Sequence, residues 1–367
     1  MSDILRRTYS DHGQSPWLDN LQRSYLTSGK LAELISSGVR GLTSNPTIFQ
    51  KAIQGSSDYD DQFVSEMKSG SSPLDAYWSL VVQDINDALD AFSGLYEESE
   101  GVDGFVSVEV DPRLARDSAG TLTAARELHD RINRPNVMIK IPATEEGLPA
   151  IRQMIAEGRN VNVTLIFSLE RYQEVMNAYI AGLEDRVTNG LPITGIQSVA
   201  SFFISRVDND VDALLNQNAS DEALGARGRV AIAQARLAYE AFQKTFSGPQ
   251  WEKLANEGAS VQRPLWASTS TKNPSYPDTM YVDELIGPFS VNTIPEPTLE
   301  AFADHGLVAR TIDIDVDGAR LLWDDLPRFG VDMDIVARKL EAEGVASFIK
   351  SFDELIDALH QKAASLD

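Results

Sequence analysis

The sequence predicts an α/β fold, a (β/α)8 TIM barrel with additional helices and a C-terminal helical extension. Three observations lead there. Eight short apolar stretches alternate with segments of helical periodicity along most of the 367 residues. Lys140 to Thr164 are spaced as one strand–helix–strand unit, which calls for parallel strands joined by a right-handed crossover. Neither G-x-G-x-x-G nor G-x-x-x-x-G-K-[ST] occurs, although an open doubly wound sheet usually carries such a phosphate loop after its first strand. A closed barrel satisfies all three.

The elements follow in order. Residues 15–20 form a short apolar stretch ending at Asp19 and Asn20, and Leu26, Leu31, Leu34 and Ile35 then recur at helical spacing. Residues 39–43 are strand-like, and Ser44-Asn45-Pro46 has the form of a helix start with proline near the first turn. Helical tracts at 58–68 and 73–95 lead to a strand at 104–110. The helix 117–132 leads to the strand 137–141, and the helix 145–156 to the strand 160–167. The helix 168–185 precedes a strand at 195–203. A long acidic helical region then runs to about residue 245, and 208–260 is longer than one barrel helix requires, so extra helices are expected there. Strands at 264–268 and 287–294 complete the set. The chain reads as one barrel domain over 1–367, of which about 308–367 is a helical extension. Within it Phe348, Phe352, Leu355, Ile356 and Leu359 form an apolar stripe suited to packing on the barrel.

Composition narrows the function. With 32 basic and 55 acidic residues, the formal net charge is −23. Nucleic acid and acidic membrane surfaces need a basic footprint and are not expected as partners. A small phosphorylated substrate needs only two or three local cations and stays open. There is no cysteine, hence no disulfide framework, thiolate metal site or cysteine nucleophile. No apolar run is long enough to span a bilayer and no leader pattern opens the sequence, so a soluble, cytoplasmic chain is expected, as a monomer or homodimer. His12, His129, His305 and His360 show no ligand spacing, and no metal or cofactor is expected. Asp313, Asp315, Asp317 and Asp324 approach a calcium-loop pattern, but aspartate stands where that loop wants glutamate. Asp317 is the expected cap of the helix carrying Leu321, Leu322 and Trp323.

Side chains alternate across a strand, so faces can be read directly. In 104–110 the polar face carries Phe105, Ser107 and Glu109, against Val106, Val108 and Val110. In 137–141 it carries Met138 and Lys140, and in 160–167 Asn162, Thr164 and Ile166, with Leu165 on the opposite face beside Val163. Glu109, Lys140 and Thr164 therefore point into the barrel near the C-terminal strand ends, where barrel active sites lie. A buried Glu–Lys pair that only closes the barrel is one explanation, although such pairs contribute little net stability. The other is chemical. A desolvated lysine loses its proton more easily, and its neutral amine can attack a ketone to form a Schiff base that serves as an electron sink. Proton transfers then need carboxylates, with Asp19 and Glu109 as candidates and Thr164 able to orient a water.

Four runs carry a family resemblance: Gly41-Leu-Thr-Ser-Asn45-Pro-Thr, Val106-Ser-Val-Glu109-Val-Asp-Pro-Arg-Leu114, Met138-Ile-Lys140-Ile-Pro-Ala-Thr144 and Asn162-Val-Thr164-Leu-Ile-Phe-Ser168. Together they closely resemble the transaldolases of the class I aldolase group, in order, over about residues 15–305. The resemblance implies transfer of a dihydroxyacetone unit from sedoheptulose 7-phosphate to glyceraldehyde 3-phosphate, giving erythrose 4-phosphate and fructose 6-phosphate. It implies Lys140 as the Schiff-base lysine, Glu109 with Thr164 as holders of the catalytic water, and Asp19 as the group handling the C4 hydroxyl proton. Asn45, Asn162 and Ser201 match groups that bond the dihydroxyacetone part, and Arg206 matches a phosphate-binding arginine. After the seventh strand the chain departs from the family pattern. Where an arginine is expected it reads Trp266-Ala-Ser268-Thr-Ser270-Thr-Lys272, so Ser268, Ser270 and Lys272 are the substitutes for that phosphate contact, unless Lys272 is only a solvated lysine. Two alternatives accompany this expectation: a fructose-6-phosphate aldolase-like lyase, in which glutamine tends to replace Glu109, and a non-catalytic sugar-phosphate-binding barrel.

Overall fold

A computed structural model describes residues 3–366. Its centre is a closed barrel of eight parallel strands in sequence order. They are β1 (Gln14–Leu18), β2 (Gly41–Thr43), β3 (Phe105–Glu109), β4 (Val137–Pro142), β5 (Val161–Ile166), β6 (Ser198–Phe203), β7 (Arg263–Ala267) and β8 (Ser290–Ile294). β6 and β8 begin three residues later than the apolar runs suggest, because Gly195 and Phe289, at φ +81° and +57°, turn the chain before pairing starts. The extra helices after β6 are Asp221–Gly225, Val230–Thr245 and Gly248–Asn256, following the crossover helix Ser205–Asn218.

The barrel interior is filled in layers. At its N-terminal end, Arg263 of β7 donates to Ser15 Oγ at 3.0 Å and to Asp103 Oδ1 at 3.1 Å, while Arg40 Nε meets Asp103 Oδ2 at 2.6 Å. Burial alone would raise the Asp103 carboxyl, but Arg263, Arg40 and the Ser15 hydroxyl hold it below the usual carboxylate range. One layer up, the Trp17 ring lies 6.5 Å from Phe105. Position 41 faces this ring so closely that a Cβ there would sit 2.4 Å from it, so only glycine fits.

Register places Glu109 beside Lys140, Lys140 beside Asn162, and Pro142 beside Thr164. Alternation holds as far as Val163 and then breaks. Leu165 adopts φ +61° and the pairing of β5 with β6 shifts between Val163 and Ile166, as a bulge does. Leu165 is therefore not a simple continuation of the Val161–Val163 face. Its Cδ2 would lie 2.9 Å from a Cβ at Gly344 of the last helix, Met333–Ala364.

That helix lies over the C-terminal rim of the barrel, touching the helices Pro46–Gly55, Pro73–Glu98 and Ser205–Asn218 and the end of β5. Its buried face includes Phe348, Phe352, Leu355, Ile356 and Leu359. Thr47 and Ser351 hydroxyls pair across the contact at 2.8 Å. The preceding helix, Val316–Asp325, is capped by Asp315, whose carboxylate accepts from Gly318 N at 3.1 Å. Asp315 rather than Asp317 is thus the cap, because Asp315 takes the left-handed backbone at φ +53° that turns the chain into the helix. Among the described residues no group of three or more His, Asp or Glu is placed to hold a metal ion, and no helix is long and apolar enough to cross a membrane.

Candidate active site

Above the barrel layers a cavity of about 350 Å³ opens at the C-terminal end. Asp19, Asn45, Lys140, Ser201, Arg206, Ser268, Ser270 and Lys272 all line it. Glu109, Asn162 and Thr164 are not part of this lining but are buried among the inward-facing groups beside it.

β4 delivers Lys140 from its inward face, 5 % exposed. Its Nζ donates to the Ser44 carbonyl at 3.3 Å and is 3.5 Å from Glu109 Oε2. Burial pushes the Glu109 carboxyl up to about 7, against the opposing pull of Lys140. Among the described residues, neither carboxylate oxygen of Glu109 nor the Thr164 hydroxyl has a hydrogen-bond partner, the Lys140 ammonium standing at ion-pair distance. Buried polar groups are seldom left so. A pair whose only duty was to close the barrel would be expected to have its remaining lone pairs satisfied. The unsatisfied oxygens suit a site that handles water or substrate hydroxyls.

Asp19 continues β1 into the cavity, its N–H bonded to the Ile294 carbonyl at 2.9 Å. Burial raises its carboxyl, while Lys140, the Thr43 hydroxyl and Arg206 pull the other way. Thr43 donates to Asp19 Oδ1 at 2.8 Å and meets the Thr293 hydroxyl at 2.5 Å. On the opposite side Ser201 donates to Asn162 Oδ1 at 2.8 Å, and Asn162 Nδ2 to Ser107 Oγ at 3.0 Å. Asn45 has two duties: Oδ1 caps the Pro46–Gly55 helix through Ile48 N at 3.0 Å, which leaves its amide nitrogen for the cavity.

The positive groups gather at one part of the cavity. Arg206 stands in the first turn of the Ser205–Asn218 helix, 5.1 Å over the Phe203 ring. Lys272 Nζ donates to Ser270 Oγ at 2.6 Å. Its proton affinity is lowered by burial and by the nearby Arg206 and Lys51. Three cations so close suit a phosphate group. Lys51, Thr43 and Thr293 carry no sequence mark as site residues, and Phe348 reads there only as part of a packing stripe. Thr43 lies inside the Gly41–Thr47 run that carries the family resemblance. Lys51 follows Asn45 on the capped helix but carries no mark separating it from a surface lysine. Thr293 and Phe348 reach the site by long-range packing.

The model for "Transaldolase/Fructose-6-phosphate aldolase" matches residues 16–359. The chain belongs to that family. It is 51 % identical over 358 residues to a protein named transaldolase from Thermobifida fusca, covering 97 % of both chains. It is 50 % identical to a transaldolase of a Parafrankia species, covering 96 % of each. A transaldolase of Trichodesmium erythraeum is 46 % identical over 365 residues, again 96 % of each. The matched region contains all eight barrel strands but for the first two residues of β1, and most of the roofing helix.

Proposed function

We propose that this chain is a transaldolase working through a Schiff base on Lys140. It would move a dihydroxyacetone unit from sedoheptulose 7-phosphate to glyceraldehyde 3-phosphate, yielding erythrose 4-phosphate and fructose 6-phosphate, in the non-oxidative pentose phosphate pathway. The observation that carries this is the setting of Lys140: a buried amine 3.5 Å from Glu109, opening on a cavity that also holds Asp19, Arg206 and Lys272.

The neutral Lys140 amine adds to the C2 carbonyl of the ketose, giving a carbinolamine. A water held by Glu109 and Thr164 relays the protons by which hydroxide leaves as water and an iminium forms. Asp19 takes the proton of the C4 hydroxyl. The C3–C4 bond breaks, its electrons flow into the iminium to give an enamine, and erythrose 4-phosphate leaves. The enamine carbon adds to the aldehyde of glyceraldehyde 3-phosphate, and Asp19 returns the proton to the new alkoxide. Addition of water to the iminium frees fructose 6-phosphate and restores Lys140. No cofactor is required.

Binding follows from the same placement. The Asn45 amide nitrogen, Asn162 and Ser201 suit the hydroxyls of the three-carbon unit. Arg206, Ser268, Ser270 and Lys272, with Lys51 beside them, suit the phosphate. A carboxylate at Glu109 rather than glutamine favours transfer over simple lyase activity. We place the enzyme in the cytoplasm, acting on sugar phosphates as a monomer or homodimer.

Borohydride reduction in the presence of fructose 6-phosphate tests this. It should add the mass of the reduced three-carbon unit or of the whole ketose to the peptide containing Lys140, and Lys140→Ala should abolish both adduct and turnover while staying folded. Absence of an adduct, or an adduct on another lysine, defeats it.

A further inference from the structure

The segment between β7 and β8 brings Ser268, Ser270 and Lys272 to the cavity, and its one regular element is the four-residue helix Met280–Asp283. Such a segment needs external ties to hold side chains in place. Its first tie is at Ser268, which sits at φ +56°, a costly backbone for a serine. The Ser268 hydroxyl is 2.9 Å from that of Ser205, and its carbonyl accepts from Ser205 N at 3.0 Å.

The second tie is a pair of carboxylates. Asp208 and Asp212 lie one turn apart on the Ser205–Asn218 helix, on one face. Each bridges two elements. Asp208 accepts from Ala231 N at 2.8 Å and from the Tyr281 hydroxyl at 2.9 Å. Asp212 accepts from Gly228 N at 3.0 Å and from the Tyr276 hydroxyl at 2.6 Å. Ala231 N belongs to the first turn of Val230–Thr245, where a helix cannot satisfy its own donors and presents positive charge. Both tyrosines belong to the segment that carries Lys272. Gly228 is at φ +69°, and a Cβ there would lie 2.8 Å from the Tyr276 ring, so the ring has been given room.

Two buried like charges a turn apart are expensive. Burial raises the Asp208 carboxyl to about 7, and Asp212 adds to that rise. Arg206 stands two residues before Asp208, on the same helix. One rigid element therefore bears both Arg206 and the two anchors of the segment bearing Ser270 and Lys272. Lys51, Arg206 and Lys272 also repel one another, as the lowered proton affinity of Lys272 records. With no anion between them, that repulsion works to push the segment outward. The Tyr–Asp bonds oppose it.

We propose that Asp208 and Asp212, acting through Tyr281 and Tyr276, are positioning residues for sugar-phosphate binding, holding Ser270 and Lys272 in place with Arg206 before substrate arrives. Preorganisation of this kind lowers the ordering cost of binding. The inference rests on the phosphate assignment made above, and the test separates the two.

Tyr276→Phe removes one hydroxyl and nothing else. In the full chain it should raise the KM for fructose 6-phosphate and weaken competitive inhibition by inorganic phosphate, each by about tenfold, the scale of one hydrogen bond to a charged group. The kcat should stay within about twofold, since the reacting groups are untouched. Asp212→Asn, which keeps an acceptor for Gly228 and a polar partner for Tyr276, should show a smaller rise. Lys272→Ala is measured beside them. A rise in KM for Lys272→Ala without one for Tyr276→Phe overturns the positioning role and leaves the phosphate assignment standing. No change in KM or phosphate inhibition for Lys272→Ala and Arg206→Ala overturns both. A Tyr276→Phe variant that loses kcat at constant KM also overturns the positioning role.

Discussion

Lys140 Nζ lies 3.5 Å from Glu109 Oε2, yet among the described residues both oxygens of that buried carboxylate lack a hydrogen-bond partner. The pair is close enough to share charge and open enough to exchange a proton with a third molecule.

A pH dependence follows from Glu109, whose carboxyl is raised to about 7, first by burial and against the pull of Lys140. Above that value it is ionised and can accept a proton; below it the base is lost. The plot of kcat/KM should therefore fall about tenfold per unit on the acid side of an apparent pKa near 7, a value belonging to the coupled pair. Glu109→Gln should remove that limb and lower kcat. An acid limb unchanged in Glu109→Gln would assign it to another group, Asp19 being the obvious one.

Asp103 serves stability at the opposite end of the barrel. Fully buried, it pairs with both Arg263 and Arg40. Asp103→Ala leaves two cations uncompensated and should cost about 3–5 kcal/mol in urea unfolding at pH 7. The sign with pH is fixed by its depressed carboxyl: the stabilisation is full above the ordinary aspartate value and disappears as pH falls through the lower folded value. The difference between wild type and Asp103→Ala should therefore narrow in acid. Equal midpoints at pH 7 would mean that the floor relaxes around the loss.

Phe348 closes the site from above. Its ring is 6.0 Å from Lys140 Nζ, only 3 % exposed, and lines the same cavity. Phe348→Ala should raise acceptor-free release of dihydroxyacetone from fructose 6-phosphate relative to transfer, by about tenfold if water reaches the covalent intermediate. Product analysis with and without glyceraldehyde 3-phosphate reads the ratio directly. A ratio that does not move assigns Phe348 to packing alone.

The barrel was legible because each strand carries its own periodicity. Glu109 and Lys140 could be placed on one inward face by counting residues in twos, and the register agrees. Counting failed at Leu165, where a left-handed residue inserts a bulge that no alternation pattern reveals. The Asp315 cap was missed because Asp317 also sits in the first turn, and only the backbone turn distinguishes them. The place of Lys51, Thr293 and Phe348 at the site is not legible for a different reason: it comes from chain segments far apart in sequence meeting over the mouth of the barrel. The apolar stripe of residues 348–359 announced that the helix packs, but not that it roofs the amine.

The position of that roof in the chain has a consequence for biosynthesis. Met333–Ala364 follows every barrel strand in sequence, so a nascent chain can pair β4 with its neighbours while the lysine is still uncovered. Before this helix is made, the Lys140 amine lacks the Phe348 ring that stands 6.0 Å from it in the folded chain. A chain terminated before Met333 would keep the eight barrel strands and lose this roof.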